Sequence, residues 1–201
     1  MHSTVRYIPA IALCFAVAGC FDEPAPAYKT VPEGARVYLQ GRGFADFASA
    51  RAGLDPALVD YLNLDRNALT NVDGIADFTH LRWLRLNGNR LSALPPLAAL
   101  SSLQRVYLAD NAFAEVPGEL AELPALTSID LSGNPLSRVP EWLAKKGNLE
   151  FLSLSRTRVE KLPDDLSAWR GLKMLQLGDL KLPPGEMARI RESLLDVAIV
   201  F

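Results

Sequence analysis

Few side chains in this 201-residue sequence have a type and spacing that could do chemistry. Cys14 and Cys20 are the only cysteines, and both fall in the first twenty residues. Once the amino-terminal segment is processed, the folded part has no disulfide and no cysteine metal site. The two histidines, His2 and His80, cannot build a metal cluster, so neither a metal nor a cofactor is expected. Asp65, Asp110 and Asp130 would be the candidates for acid–base work. No histidine lies near them in the sequence, and they are expected to be solvated acids. His80 is expected in a loop. Ser132, Ser153 and Ser155 stand outside any G-x-S-x-G frame, so a nucleophilic hydrolase has no support. Enzymatic activity is not expected. Charge excludes another class: 21 basic against 23 acidic side chains give a net −2, and without a basic run no nucleic-acid partner is indicated.

Cys20 is the exception, because of what precedes it. Arg6 supplies a basic start, and residues 8–18 form an apolar stretch broken only by Pro9. That stretch is shorter than the roughly 20 residues a spanning helix needs, and it fits a secretory signal peptide. Val17-Ala18-Gly19-Cys20 resembles the bacterial lipobox. The resemblance implies that the Cys20 thiol receives a diacylglycerol and becomes the first residue after cleavage. An ordinary signal peptide ending near a cysteine is the alternative. Phe21 rather than Asp follows the cysteine, which by the same resemblance favours the outer membrane. Residues 21–34, FDEPAPAYKTVPEG, hold three prolines and cannot pack a core, so they are expected to act as a tether.

The elements that position everything else come from self-similarity. Val59-Asp-Tyr-Leu62-Asn-Leu64-Asp-Arg-Asn67-Ala-Leu69 aligns with Leu81-Arg-Trp-Leu84-Arg-Leu86-Asn-Gly-Asn89-Arg-Leu91. The frame returns from positions 103, 126, 149 and 172, at intervals of 22 or 23 residues. Leu62 and Leu64 alternate with Tyr61, Asn63 and Asp65, a period of two that buries one face of a strand. No copy can bury its own leucines, so neighbours must stack.

This pattern resembles the leucine-rich repeat, L-x-x-L-x-L-x-x-N-x-L, over roughly residues 36–201. The resemblance implies an α/β solenoid with a short parallel strand per repeat on its concave face. Short helical or 3₁₀ turns are implied on the convex face. Asn67, Asn89, Asn111 and Asn134 occupy the asparagine slot, where an amide can satisfy inward-turning backbone in adjacent coils. Thr157 and Leu180 depart from it, so the ladder is expected to weaken toward the carboxyl end. Leu94-Pro95, Val116-Pro117, Val139-Pro140 and Leu162-Pro163 open the return segments, with proline expected at a first helical position. Gly88 beside Asn89 marks a tight turn.

The expected organisation is a signal peptide over 1–19, an acylated cysteine and tether over 20–35, and a repeat domain over 36–201. Within the last, 36–58 is a degenerate first repeat with a short helix near 45–52, and 59–182 holds six repeats. Residues 183–201 form a cap: a helix over 184–195, then a strand over 197–201.

Residues flanking the inward leucines point to the concave surface. One column runs Arg36, Tyr61, Trp83, Arg105, Ser128, Phe151, Met174, and the next Tyr38, Asn63, Arg85, Tyr107, Asp130, Ser153, Gln176. A third holds Gln40, Asp65, Asn87, Ala109, Ser132, Ser155 and Gly178. Tyr38, Tyr61, Trp83, Arg85, Arg105 and Tyr107 concentrate in the amino-terminal half. These are the residue types enriched where interfaces concentrate their energy, so they form the candidate protein-binding face. Strand propensity alone would also place aromatics there, with the arginines covering ring faces. The expected function is a lipid-anchored, non-enzymatic module of the bacterial envelope that binds a protein or peptide. A structural spacer with no specific partner is the alternative. Secreted effectors that join similar repeats to a catalytic cysteine domain are set aside, because no second domain is read in the sequence.

Overall fold

The computed structural model of the chain describes residues 34–201. The expected signal peptide, Cys20 and the tether as far as residue 33 lie outside the described residues.

Eight strands form one parallel sheet in sequence order: β1 (Ala35–Tyr38), β2 (Val59–Asn63), β3 (Trp83–Arg85), β4 (Arg105–Tyr107), β5 (Ser128–Asp130), β6 (Phe151–Ser153), β7 (Met174–Gln176) and β8 (Ala198–Val200). Each strand hydrogen-bonds the next, which is the arrangement that stacked coils of equal length dictate. The inward side chains of successive strands, Leu62, Leu84, Val106, Ile129, Leu152 and Leu175, are in direct register and fully buried. Two residues further on, Leu64, Leu86, Leu108, Leu131, Leu154 and Leu177 make a second buried layer. Each such side chain is worth about 1.5–3 kcal/mol when buried, so these layers dominate stability.

Behind the sheet the chain returns through short turns. α1 (Phe47–Arg51) is capped by Asp46, whose carboxylate accepts from Ser49 N at 2.7 Å. 3₁₀ turns occupy Pro56–Leu58, Ile75–Asp77, Gly118–Glu122 and Ser167–Gly171, and α2 spans Glu141–Ala144. The prolines do not take the expected first helical position. Pro117 and Pro140 are the N-cap residues, with extended-type ψ angles of 122° and 150°. No helix follows Leu94-Pro95 directly, and the turn after Leu162-Pro163 begins only at Ser167. Pro96 offers a reason in the first case, since a second proline holds the residue before it in extended geometry. Among the described residues no helix is long and apolar enough to cross a membrane.

The solenoid is closed at its carboxyl end by α3 (Pro184–Ser193) and β8. Glu186 Oε1 accepts from Leu162 N at 2.8 Å, while the Arg189 guanidinium donates to Leu162 O and Asp164 O. Arg189 also pairs with Glu186 at 2.7 Å. One acid–base pair therefore satisfies three backbone groups of the preceding coil. Trp169 is fully buried in the same region and donates from Nε1 to Leu143 O at 2.8 Å.

Candidate functional site

The exposed face of the sheet rests on a turn that repeats once per coil. Residues 66, 88, 110, 133, 156 and 179 all have φ between +54° and +68°. Only Gly88 and Gly133 are glycines; Arg66, Asp110, Arg156 and Asp179 hold the left-handed conformation at some cost. The following residue is the asparagine slot. Asn89 donates to Leu64 O at 3.0 Å and Leu86 O at 2.9 Å, and accepts from Leu69 N at 3.1 Å. Asn67, Asn111 and Asn134 repeat the pattern, each tying its own coil to the one before. Thr157 retains only a bond within its coil, to Leu154 O at 2.8 Å, so the ladder does thin toward the carboxyl end.

A second ladder has no repeating residue type to mark it in the sequence. Asp65 accepts from Asn87 N at 2.8 Å, Asn87 Oδ1 from Ala109 N at 2.8 Å, and Ser155 Oγ from Gly178 N at 3.0 Å. These residues form the third column, where the strand has ended and the next coil's N–H needs an acceptor. Asp65 thereby corrects an expectation. It is buried rather than solvated, and its carboxylate also binds the Arg85 guanidinium at 2.7 Å. Burial disfavours the Arg85 charge, but the Asp65 carboxylate outweighs it and holds the guanidinium pKa above its ordinary value. Asp110 instead pairs with Arg156 at 3.0 Å, both half-exposed, and Asp130 accepts from the Ser132 hydroxyl at 2.7 Å.

The register aligns the two other columns as their spacing predicts. Arg36, Tyr61, Trp83, Arg105 and Ser128 are consecutive partners, as are Tyr38, Asn63, Arg85, Tyr107 and Asp130. Tyr38 is exposed, while Tyr61, Trp83, Arg85, Arg105 and Tyr107 are half-buried against one another. The rings of Tyr38 and Tyr61 lie 5.2 Å apart, and those of Tyr61 and Trp83 5.7 Å apart, all tilted. Arg105 lies over the Trp83 ring at 4.2 Å, and Arg85 over the Tyr107 ring at 5.1 Å. Arg36, outside the six candidate residues, sits 5.8 Å from the Tyr61 ring and 5.9 Å from that of Trp83. Its column position was the available signal. Desolvation in this cluster pushes the Tyr61 phenol above its usual pKa. The six candidates and Arg36 thus form one continuous layer over β1 to β4.

Other surfaces offer less. Two shallow depressions of about 210 Å³ lie on the return side, around Trp142 and around Lys161. Both are below the roughly 300 Å³ at which small-molecule sites begin. Among the described residues no group of three histidine, cysteine or acidic side chains could hold a metal ion. His80 is exposed in a turn, and Ser153 is buried.

Comparison with known proteins follows the same lines. Residues 79–136 and 101–159 match the family described as Leucine rich repeat. No curated protein matches the chain in sequence. Among solved structures, an internalin from Listeria monocytogenes is similar, with 22% identity and a TM-score of 0.58 over 71% of this chain and 47% of that one. The leucine-rich repeat domain of APL1B gives 22% identity and a TM-score of 0.58 over 71% of this chain and 42% of that one. The matched part of the chain spans less than half the length of either structure. Residues 79–159 carry leucine-rich repeats, and the chain over 34–201 folds as a leucine-rich-repeat solenoid.

Proposed function

We propose that the chain is a non-enzymatic protein-binding module, held on the bacterial cell envelope through a lipid on Cys20, that engages its partner with the sheet face of β1 to β4. The observation that carries this reading is the continuous layer of Tyr38, Tyr61, Trp83, Arg85, Arg105 and Tyr107. Solenoids of this kind are commonly protein-interaction modules, and their extended sheet face is the surface available for it. The residue types here are those on which binding energy concentrates. Their side chains are already packed and paired, so little rotamer freedom is lost when a partner arrives. The lipid anchor and the outer-membrane location rest on Val17-Ala18-Gly19-Cys20 and Phe21 alone.

Two experiments test the two halves. Metabolic labelling with an alkyne-tagged fatty acid should mark the full-length chain and leave Cys20→Ser unmarked; equal labelling of both removes the anchor. Crosslinking in intact cells, followed by mass spectrometry, should capture a partner that a Tyr61/Trp83/Tyr107→Ala variant loses, with circular dichroism showing that both chains fold. Equal capture would remove the site assignment. Failure to capture any specific partner with either chain would favour a structural spacer.

A further inference from the structure

Three of the four aromatic rings of this face, Tyr61, Trp83 and Tyr107, have a guanidinium beside them. Trp83 lies between two guanidinium groups, those of Arg36 at 5.9 Å and Arg105 at 4.2 Å. Tyr107 carries Arg85 at 5.1 Å. A partner therefore meets guanidinium groups beside the rings of Trp83 and Tyr107 as well as the exposed Tyr38.

The three arginines are not equivalent. Arg85 is already neutralised by Asp65 at 2.7 Å. Among the described residues no carboxylate lies within ion-pair distance of Arg36 or Arg105. The chain as a whole carries a net −2, yet these two cations stand together. Their distances to the shared ring bring the guanidinium carbons within about 10 Å of each other. Asp130 follows Tyr107 in register on β5 and ends the cationic stretch.

Resting on the reading above, we propose that the partner presents a short, acidic, extended peptide segment, whose carboxylates bind Arg36 and Arg105 on either side of Trp83. In an extended chain, alternate side chains share a face and stand about 7 Å apart. Two acids in an acid-x-acid spacing, with the reach of their own side chains, span the two guanidinium groups. Each can take a planar, two-pronged contact from arginine. A longer polyanion would run onto Asp130 on β5.

The test uses the full chain in detergent and a fluorescein-labelled peptide Ser-Glu-Ser-Glu-Ser, with the Gln counterpart as control. Anisotropy should show the Glu peptide binding at least tenfold more tightly, and weakening several-fold as salt is raised through the physiological range. An Arg36→Gln/Arg105→Gln variant, folded by circular dichroism, should bind the Glu peptide no better than the Gln one. Equal binding of the two peptides, no binding of the Glu peptide, or an undiminished double variant would each overturn the proposal. So would tighter binding of a single-stranded oligonucleotide of equal charge. A partner captured in cells that depends on Tyr61, Trp83 and Tyr107 but is indifferent to the double variant would overturn the acidic chemistry and leave the binding face standing.

Discussion

At the scale of single residues, the side chains that hold the coils together are distinct from those offered to a partner. Asn89 joins two coils through buried backbone groups, and its loss leaves Leu69 N without a partner, while Leu64 O and Leu86 O each lose one of two donors and keep Asn67 and Asn111. An orphaned buried group costs about 1–3 kcal/mol, so with two further bonds lost Asn89→Ala should lower stability in urea by about 2–3 kcal/mol. Thr157→Ala, which loses one bond inside its own coil, should cost about 1 kcal/mol. Similar losses at the two positions would contradict the ladder. Among the site residues, Arg85 and Tyr107 were legible because a 22- or 23-residue period fixes which side chains are neighbours. The burial of Asp65 was not. Its partner Arg85 lies twenty residues away and in a different column, a diagonal that periodicity does not single out. Arg36 was placed in its column but not in the site. The first repeat is longer than the others and carries an irregularity in register between Ala35 and Arg36.

At the scale of elements, the turn after each strand and the carboxyl-terminal cap carry the sharpest expectations. Gly133 has φ of +68°, and a Cβ there would run into the Asp110 carboxylate that pairs with Arg156. Gly133→Ala should therefore cost about 1–2 kcal/mol, read as a lowered melting temperature. Gly118→Ala, where no neighbour stands close and φ is not positive, should be neutral or slightly stabilising. Equal effects would remove the turn argument. In the cap, the hydrogen bond from Arg189, opposed by burial and helped by Leu162 N, holds the Glu186 carboxyl below its ordinary 4.5. A lowered folded pKa gives stability that is complete above the unfolded value and lost as pH falls through the folded one. Urea midpoints should thus fall more steeply below about pH 4.5 in the wild type than in Glu186→Gln, the two converging at low pH. Parallel profiles would show that the pair does not couple to folding. The strands were readable from hydrophobic period, and the cap helix, expected over 184–195, spans Pro184–Ser193. The return turns were less readable, because a proline before a turn suits either the cap or the first helical position. The left-handed residues Arg66, Asp110, Arg156 and Asp179 carry no signal of their own; only the frame reveals them.

At the scale of the whole solenoid, each coil touches its neighbours and little else, so stability should behave as a sum over coils and their interfaces. Excising residues 126–148, one full period, would bring the Leu149 frame directly behind the coil that starts at Leu103. The shortened chain should still melt cooperatively, at a lower temperature, with its sheet signal retained. An unfolded product would contradict the coil-by-coil account. The same independence makes functional division possible. The face over β1 to β4 carries aromatic and arginine side chains, whereas β5 to β7 present Asp130, Phe151, Met174 and Gln176, with Ser128 and Ser153 buried between them. The most direct test of the central claim is quantitative partner capture by two folded variants, Tyr61/Trp83/Tyr107→Ala and Phe151/Met174/Gln176→Ala. The account predicts that the first loses at least nine-tenths of the captured partner, a loss of about 1.4 kcal/mol or more, while the second retains most of it. Loss confined to the second, or equal retention by both, would contradict it.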